Sequence, residues 1–413
     1  MTRPVAVVVD PFGSGSHLAP RFHRDGWQTV AVLTSTDLSP SMMASLDPDK
    51  YLKVIGPGVT APEVYAELSD LPVAAVLPGT ETGVEFADEL GAAFGTAGNP
   101  AELRACRRDK AAMGERLHEV GVPAAEQFAT ADLDELLRWT EKHDRWPVIV
   151  KPRRSAASDG VSRCQDSDDV RAAFHRIVGR RSWLGATNDS VLAQEFLSGQ
   201  QYLVNSVSVH GHHYIGEIWQ FDSVYDGPHQ IYDRQWLLAP HGTVQDQIVQ
   251  YVRQVLSALQ IRYGAAHTEV MLTERGPRLI ETAARTTGFI QQDALNAAVG
   301  HHHISLTVDA YVAPHRILER PPRYTPRKSL GIVALRSPVD GQIPDSPALQ
   351  RLLSLPTFAG IMGGTLEPGR TVSRTRDLPS SPGLVYLLAD SADELRQAGD
   401  TIREIEATGL YQP

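Results

Sequence analysis

The chain has 413 residues, a formal net charge of −10, and 42% hydrophobic and 21% charged residues. This composition is typical of a folded protein with a sizeable core and roughly two to four domains or subdomains. The acidic charge argues against nucleic acid and against an anionic membrane as the main partner, because both attract basic surfaces. The two cysteines, Cys106 and Cys164, are too few for a disulfide framework or a thiolate metal site. No stretch has the length of a transmembrane segment or the character of a signal peptide, so we expect a cytoplasmic protein.

The first hundred residues carry the pattern of an open βαβ sheet. Val5–Val9 is an uninterrupted apolar run, which is typical of a buried parallel strand, and residues 28–33 and 73–77 predict further strands. The small-residue turn at residues 11–17 matches a dinucleotide fingerprint only in part, because Leu18 stands where the third glycine belongs. A structural turn before a helix at residues 18–25 is therefore favoured, with substrate contact at its mouth as the alternative.

Two charged segments follow this sheet. Residues 78–84 come directly after a strand, the usual position for ligand contacts in such sheets. Glu81 in this segment either holds a substrate amine or caps the next helix, and the sequence leaves both open. Residues 101–119 predict one helix that carries Lys110 on a charged face. Such a face is usually just exposed to solvent, so Lys110 by itself gives no evidence of a function.

A lysine ends the predicted strand at residues 148–152. Lys151 is followed by a loop of small and basic residues that contains Ser155, Ser158 and Gly160. An ammonium group beside exposed backbone N–H groups suits a phosphate. The alternative is a surface hairpin whose basic residues are incidental.

Residues 264–288 predict a β-hairpin that carries two opposed acids. Residues 269–272 and 278–281 are short strands, and a hairpin symmetric about Arg275 places Glu269 directly opposite Glu281. Opposed side chains lie roughly 5 Å apart, and like charges there are destabilising. Hard oxygen ligands of this kind suit Mg²⁺. Alternatively, the two glutamates are simply exposed at the ends of a solvated hairpin.

Other residues near the hairpin add to this pattern. Arg285 supplies a guanidinium suited to phosphate or carboxylate, and Gly288 lets the backbone approach a ligand closely.

Residues 221–240 predict a long polar, aromatic loop that contains His229 and Arg234, and a loop of this kind is often functional. The run His301, His302 and His303 indicates a surface helix start rather than a metal site.

At this point the residues resemble the ATP-grasp superfamily of carboxylate–amine ligases, over nearly the whole chain. The resemblance implies an α/β fold with an N-terminal open βαβ domain and an α+β lid. It also implies boundaries: residues 1–105 for the N-terminal pre-ATP-grasp domain, 106–198 for the linker helix and lid, 199–328 for the central domain with the metal site, and 329–413 for a C-terminal subdomain.

The resemblance also implies roles for individual residues. Catalysis falls to Arg285 and Lys151, and Mg²⁺, which Mn²⁺ can replace, falls to Glu269 and Glu281. The expected ATP contacts are Lys110, Lys151, Ser155, Ser158, Gly160, Glu195, Phe196, Leu197 and Gln201. The expected substrate contacts are Glu81, His229, Arg234, Arg285 and Gly288. Two residues depart from the family pattern. Gln201 stands where an acid usually binds ribose, and Ala283 stands where an asparagine often helps hold the second magnesium.

The block from Gly79 to Lys110 resembles the L-amino-acid ligases that make dipeptides or isopeptides, as in the bacilysin and dapdiamide pathways. One type that the chain resembles joins glutamate to an unusual amino acid such as propargylglycine. We therefore expect an enzyme of antibiotic biosynthesis that couples two small-molecule amino acids with ATP, as a homodimer. The alternatives are a carboxylase-like enzyme of the same fold and a regulator that binds ATP without turnover.

Overall fold

A four-stranded parallel sheet forms the amino-terminal part of the chain. The computed structural model describes residues 2–35, 38–156, 158–227 and 229–413, without the side chains of Ser41 and His229. The strands are β1 (Val5–Val9), β2 (Gln28–Val32), β3 (Val54–Ile55) and β4 (Val73–Pro78), in the order β3-β2-β1-β4. The helices are α1 (Leu18–Arg24), α2 (Pro40–Met43), α3 (Ala61–Glu67) and α4 (Val84–Phe94). Every residue of β1 is buried, which explains its unbroken apolar sequence and confirms the predicted open βαβ sheet.

The loops after β1 and β4 meet at one edge of this sheet. The two strands are parallel neighbours, so their carboxyl ends lie side by side. Short 3₁₀ turns follow them at Gly13–His17 and Glu81–Gly83. A Cβ atom on Gly15 would lie 2.4 Å from the carbonyl oxygen of Gly79, so this close approach requires glycine.

The prediction of a single helix at residues 101–119 is wrong. A 3₁₀ helix covers Ala101–Arg107, and α5 (Lys110–Glu119) begins after a break. The Asp109 carboxylate accepts hydrogen bonds from the backbone N–H groups of Ala111 and Ala112, so Asp109 caps α5. Lys110 therefore stands at the first turn of a helix and not in the middle of one.

The next part of the chain is a small antiparallel sheet with two helices, and we call it the lid (residues 127–195). Its elements are β5 (Gln127–Thr130), α6 (Leu133–His143), β6 (Val148–Pro152), β7 (Ser162–Cys164), α7 (Ser167–Ile177) and β8 (Val191–Glu195), with strand order β5-β8-β6-β7. Helices and strands enclose a core of their own, which includes Leu136, Val150 and Phe174. Lys151 lies near the end of β6, as predicted.

One antiparallel sheet of eight strands organises the rest of the molecule. This sheet and a separate two-stranded pair contain β9 (Gln200–Val209), β10 (His212–Asp226), β11 (His229–Leu237), β12 (Gly264–Thr273), β13 (Gly276–Ala283), β14 (Ser329–Ala334), β15 (Gly341–Gln342), β16 (Phe358–Met362), β17 (Thr371–Val372) and β18 (Leu384–Ala389). The helices are α8 (Thr243–Ala258), α9 (Gln292–Val299), α10 (His303–Val312), α11 (His315–Leu318), α12 (Pro347–Leu353) and α13 (Ala392–Ala407). The order is β13-β12-β9-β10-β11-β14-β18-β16, while β15 and β17 pair separately. Strands from the carboxyl-terminal part thus extend the sheet that carries the predicted hairpin.

The long loop predicted at residues 221–240 is wrong, because most of it is the hairpin of β10 and β11. Its strands alternate polar and aromatic residues across a half-buried surface, a pattern that resembles a loop in composition. The pairing shifts near Asp233, where Tyr232 faces Ser223 and Arg234 faces Asp222. Asp233 is therefore the extra residue of a β-bulge.

The surface position expected for the histidine run is also wrong. His301, His302 and His303 are all buried. His303 donates from Nε2 to the carbonyl oxygen of Ser206 at 3.0 Å and accepts at Nδ1 from the N–H of Thr287 at 3.1 Å. Burial lowers the pKa of His303 to about 3, so it is a neutral core residue. None of the described helices is long and apolar enough to cross a membrane.

Candidate functional site

A cavity of about 750 Å³ lies where the amino-terminal loops, the lid and the large sheet meet. Phe12, Gly13, Ser14, Thr80 and Glu81 line it from the amino-terminal side. The lid contributes residues from β6, β8 and the loop after β6, and the large sheet contributes residues from β9 to β13. Part of its wall also comes from the carboxyl-terminal region, through Ile332, Gly363, Leu378 and Tyr386. Three layers of the fold therefore enclose one site.

Glu269 on β12 lies directly opposite Glu281 on β13, as predicted, but for a different reason. The turn consists of Glu274 and Arg275, so the hairpin is not symmetric about Arg275. A bulge beyond Glu269 adds one residue, Ile280, to the second strand and restores the opposition. Both carboxylates face the cavity.

Lys110 joins the hairpin to the lid. Its Nζ lies 3.0 Å from Oε2 of Glu281 and donates to the carbonyl oxygen of Ser155 at 2.6 Å. Burial alone would raise the pKa of Glu281, but the ammonium groups of Lys110 and Lys151 outweigh burial and hold the pKa below its usual value. Glu281 is therefore an ionised carboxylate within a cluster of cations.

Lys151 is buried, and its Nζ donates to Oε1 of Gln194 at 2.9 Å. Burial, reinforced by the charge of Lys110, lowers the pKa of Lys151 to about 8. A buried ammonium with a neutral hydrogen-bond partner favours the arrival of an anion. This environment suits a phosphate.

Arg285 faces the cavity from just beyond β13. Its Nε donates to Oε2 of Glu81 at 2.8 Å, and its Nη1 donates to the carbonyl oxygen of Thr286 at 2.9 Å. Arg108 approaches the other oxygen of Glu81 at 3.6 Å. Glu81 makes no side-chain cap of its helix, so the capping alternative is wrong and the carboxylate instead holds Arg285.

The segment between β8 and β9 connects the lid to the large sheet, and Phe196 and Leu197 of this hinge line the cavity. The carboxylate of Glu195 accepts from the backbone N–H of Glu126 at 3.1 Å and from Nη2 of Arg275 at 2.6 Å. Glu195, at the end of the lid, therefore connects the residue before β5 to the tip of the β12–β13 hairpin. Its side chain is engaged by the protein, which leaves the hinge backbone to contact a ligand.

Several other predicted contacts are also engaged by the protein. The amide of Gln201 donates to Oε2 of Glu269 at 2.9 Å, and the hydroxyl of Ser155 donates to Oδ2 of Asp159 at 2.7 Å. Ser158 and Gly288 line the cavity. Gly160 does not line it, and a Cβ atom there would lie 2.8 Å from the ring of Pro152. Gly160 thus allows close packing beneath the lid loop.

The predicted substrate contact at Arg234 is wrong. Its Nη1 pairs with Oδ1 of Asp400 on α13 at 2.8 Å, outside the cavity. Gln230 and Tyr232 line the cavity, and regular alternation along β11 would place Arg234 on the same face. The bulge at Asp233 shifts the alternation by one residue, so Gln235 faces the cavity in place of Arg234. The side chain of His229 lies outside the described residues.

Sequence reasoning missed three side chains that line the cavity. Tyr232, His267 and Phe289 all line it. His267 lies two residues before Glu269 and shares its face, a signal that period-two alternation provides. Its Nδ1 donates to Oδ1 of Asn205 at 2.7 Å, and its Nε2 lies 3.6 Å from Oε1 of Glu269. No comparable signal marks Phe289, which follows the last strand of the hairpin.

The acidic pair fits a magnesium ion in its donor chemistry. Glu269 and Glu281 present hard carboxylate oxygens at one point of the cavity, and Mg²⁺ commonly takes one or two carboxylates together with phosphate and water. The described residues contain no group of three or more His, Cys, Asp or Glu side chains arranged to hold a metal. Ala283 offers no ligand. A magnesium ion held here would therefore take two carboxylates from the protein and its other ligands from substrate and water.

Comparisons with known proteins agree on one family. Residues 144–293 match the ATP-grasp domain. The chain is 31% identical over 413 residues to dapdiamide A synthase of Enterobacter agglomerans, covering 98% of this chain and 96% of that protein. Its structure is similar to that of an L-amino acid ligase from Bacillus licheniformis, with a TM-score of 0.77, 17% identity, and coverage of 100% and 99% of the two chains. It is also similar to a carboxyaminoimidazole ribonucleotide synthase from Aspergillus clavatus complexed with ATP, with a TM-score of 0.70, 17% identity, and coverage of 98% and 99%. At these identities the two solved structures indicate the fold alone.

Proposed function

The chain belongs to the ATP-grasp family of amino-acid ligases, which form carbon–nitrogen bonds at the expense of ATP, and we propose that it couples two amino acids into a dipeptide or isopeptide. One amino acid supplies the carboxylate, which is activated as an acyl-phosphate. The other supplies the amine. The products are the amide, ADP and phosphate.

One observation carries this proposal, the convergence of two lysines, two opposed carboxylates and an arginine on a single enclosed cavity. Positive groups that surround a phosphate and carboxylates that suit a divalent cation are what phosphoryl transfer needs, because its catalysis is mainly positioning and charge stabilisation. A regulator that only binds ATP has no need of Arg285 beside a substrate pocket. The retained set therefore favours an enzyme.

Each residue has a definite task in this proposal. Lys110 and Lys151 hold the phosphates of ATP from two sides of the cavity. Glu269 and Glu281 hold magnesium, which neutralises charge on the phosphate oxygens when bound. Arg285, oriented by Glu81, donates hydrogen bonds to the transferred phosphoryl group and to the oxyanion that forms on the substrate.

The reaction balances in two steps. A carboxylate oxygen of the first amino acid bonds to the γ-phosphorus of ATP, and the bond to the ADP oxygen breaks. The amine of the second amino acid then attacks the carbonyl carbon, phosphate leaves, and the attacking nitrogen loses a proton. The lid shields the acyl-phosphate from water, since such intermediates hydrolyse when water reaches them.

The similarity to dapdiamide A synthase supports a role in secondary metabolism. The glutamate and propargylglycine pair stays a prediction, as do the homodimer, the cytoplasmic location and the domain boundaries. A carboxylase-like reaction with bicarbonate is the second candidate, and the ATP-grasp fold by itself does not distinguish it from the ligase.

The decisive experiment measures phosphate release from ATP and Mg²⁺ across a matrix of amino-acid pairs, with products weighed by mass spectrometry. We expect phosphate and a condensed product in equal amounts for at least one pair. Phosphate release that depends on bicarbonate would favour the carboxylase, and no release with any pair would favour the regulator.

The matched variants for this assay lie on the same hairpin. Glu281→Gln removes the charge of a carboxylate proposed to bind magnesium. It should abolish product formation without unfolding the protein. Glu274→Gln removes an exposed charge from the turn and should leave turnover unchanged. Parental turnover of Glu281→Gln at saturating Mg²⁺ would contradict the two-carboxylate site.

A further inference from the structure

Arg163 on β7 contacts two aromatic rings that belong to different parts of the molecule. The central carbon of its guanidinium lies 4.8 Å from the centre of the Phe196 ring and 5.2 Å from the centre of the Tyr225 ring. Both distances are within the roughly 6 Å over which a cation is attracted to an aromatic face. Phe196 belongs to the hinge and Tyr225 to β10 of the large sheet. A single lid side chain thus bridges the lid, the hinge and the large sheet.

Strand register places Arg163 on the cavity side of the lid. Arg163 is opposite Ile149 on β6, and Ile149 is opposite Gln194 on β8. Opposed residues share one face of a sheet, and Ile149 and Gln194 both line the cavity. The two rings that Arg163 contacts line it as well. Arg163 therefore supports the wall of the cavity at its hinge end.

Stacking, rather than an ion pair, holds this guanidinium. Among the described residues no carboxylate forms an ion pair with Arg163, and its Nε is buried without a hydrogen-bond partner. A buried N–H without a partner costs free energy, so the position is a poor choice for a side chain that only stabilises the fold. A function in the closed site would explain why the arginine is there.

We propose that Arg163 is a positioning residue that clamps the lid onto the large sheet and thereby raises the affinity of the site for ATP. The contact between Arg163 and Tyr225 exists only when the lid lies against the sheet, so it stabilises the closed, binding-competent state. Apparent affinity scales with the population of that state. This inference rests on the proposed function only in taking ATP as the ligand of the cavity.

The first test is the dissociation constant of Mg²⁺-ATP, measured by calorimetry without amino acids. Arg163→Gln should weaken binding on the order of tenfold, the scale of two aromatic contacts to one cation. Because Arg163 touches no reacting group, kcat at saturating ATP and the KM values of the amino acids should stay near the parental values. Arg171→Gln, which removes the same charge from the exposed side of α7, should leave the affinity unchanged.

Variants of the ring provide the second test. Tyr225→Phe keeps the aromatic face that Arg163 contacts and should bind ATP more tightly than Tyr225→Leu, which removes that face. The double variant Arg163→Gln with Tyr225→Leu should bind no more weakly than Arg163→Gln alone, because both changes remove the same contact. This comparison remains informative even if Arg163→Gln lowers stability.

Three outcomes would overturn the clamp: parental ATP affinity in Arg163→Gln, fully additive losses in the double variant, or a fall of kcat and apo thermal stability with no change in ATP affinity. Failure of the ligase proposal looks different. In that case the parent binds ATP and yields no product with any amino-acid pair, while the binding measurements on Arg163 and Tyr225 still decide the clamp.

Discussion

Lys151 shows how the site holds a charge in readiness for its ligand. The side chain is buried, and its amine contacts the neutral amide oxygen of Gln194 at 2.9 Å. Burial and the charge of Lys110 lower its pKa from 10.5 to about 8. The apo protein therefore carries the free-energy cost of a poorly solvated ammonium, and a bound phosphate relieves that cost.

Lys151→Met should stabilise the apo protein at pH 7 by about 1 kcal/mol or more while it abolishes measurable ATP binding. The folded-state pKa lies below the unfolded value, so the unfolded chain binds more protons between pH 8 and 10.5. The free-energy cost of burying the Lys151 ammonium is fully present below pH 8, and it is lost as the pH rises from 8 to 10.5. The stability gap between variant and parent, measured by denaturant unfolding, should therefore narrow from pH 8 to pH 10. A variant less stable than the parent at pH 7 would contradict this account.

Arg285→Lys separates a ligase from an ATP-binding regulator. Lysine keeps the charge but loses the planar fork, whose Nε contacts Glu81 and whose Nη1 contacts Thr286. We expect ATP affinity near that of the parent and product formation slower on the order of a hundredfold, as for loss of one oxyanion donor. Single-turnover assays and calorimetry measure the two quantities. If the arginine only braced the fold, thermal stability and ATP affinity would fall together.

At the scale of the element, the break before α5 determines where Lys110 can reach. Asp109 caps the helix, and its carboxylate also pairs with Arg153 at 2.8 Å and with Arg154 at 3.2 Å. The cap sets the helix start, and the ion pairs attach that start to the loop after β6. Lys110 is thereby directed at Glu281 and at the lid backbone.

Asp109→Ala should lower the free energy of unfolding by about 1 kcal/mol and should also raise the KM for ATP severalfold, because the cap and the position of Lys110 are lost together. Asp109→Asn keeps a capping oxygen and loses the ion pairs, so its loss of stability should be smaller. Denaturant unfolding and ATP titration of the two variants test this. Equal effects of Ala and Asn on stability would show that the cap contributes little.

The elements were largely predictable from local patterns, but the side-chain directions were not. The apolar run of β1, the lysine at the end of β6 and the hairpin of β12 and β13 follow from periodicity and turn residues. Bulges are set by neighbouring strands and leave no local signal. The bulge at Ile280 places Glu269 opposite Glu281, so the predicted opposition was confirmed although the turn on which it was based was wrong. The one at Asp233 turned Arg234 away from the cavity.

At the scale of the whole molecule, one sheet connects the β12–β13 hairpin to the carboxyl-terminal part of the chain. β14 pairs with β11, and β18 pairs with β14, so residues after 328 complete a sheet that begins at β13. Tyr386 on β18 donates from its hydroxyl to the carbonyl oxygen of Phe289 at 2.9 Å, in the loop that follows Arg285. From the sequence we expected a C-terminal subdomain at residues 329–413 and did not predict this shared sheet, because strand partners distant in sequence cannot be identified from local patterns.

A fragment of residues 1–328 should therefore fail to fold its central sheet. The cut leaves the edge of β11 unpaired and removes Leu330, Ile332 and Tyr386 from the same core that contains Val204 and Val270. An exposed apolar edge of this kind favours aggregation. We expect an insoluble fragment, or one without a cooperative unfolding transition or ATP binding.

In the full chain, hydrogen exchange should show amides of β9, β12 and β18 opening as one unit, because they share a sheet and a core. The lid has a core of its own and should open at lower free energy, which serves as the internal control. A soluble fragment with parental affinity for ATP would mean that the carboxyl-terminal strands are an attachment rather than part of the catalytic unit.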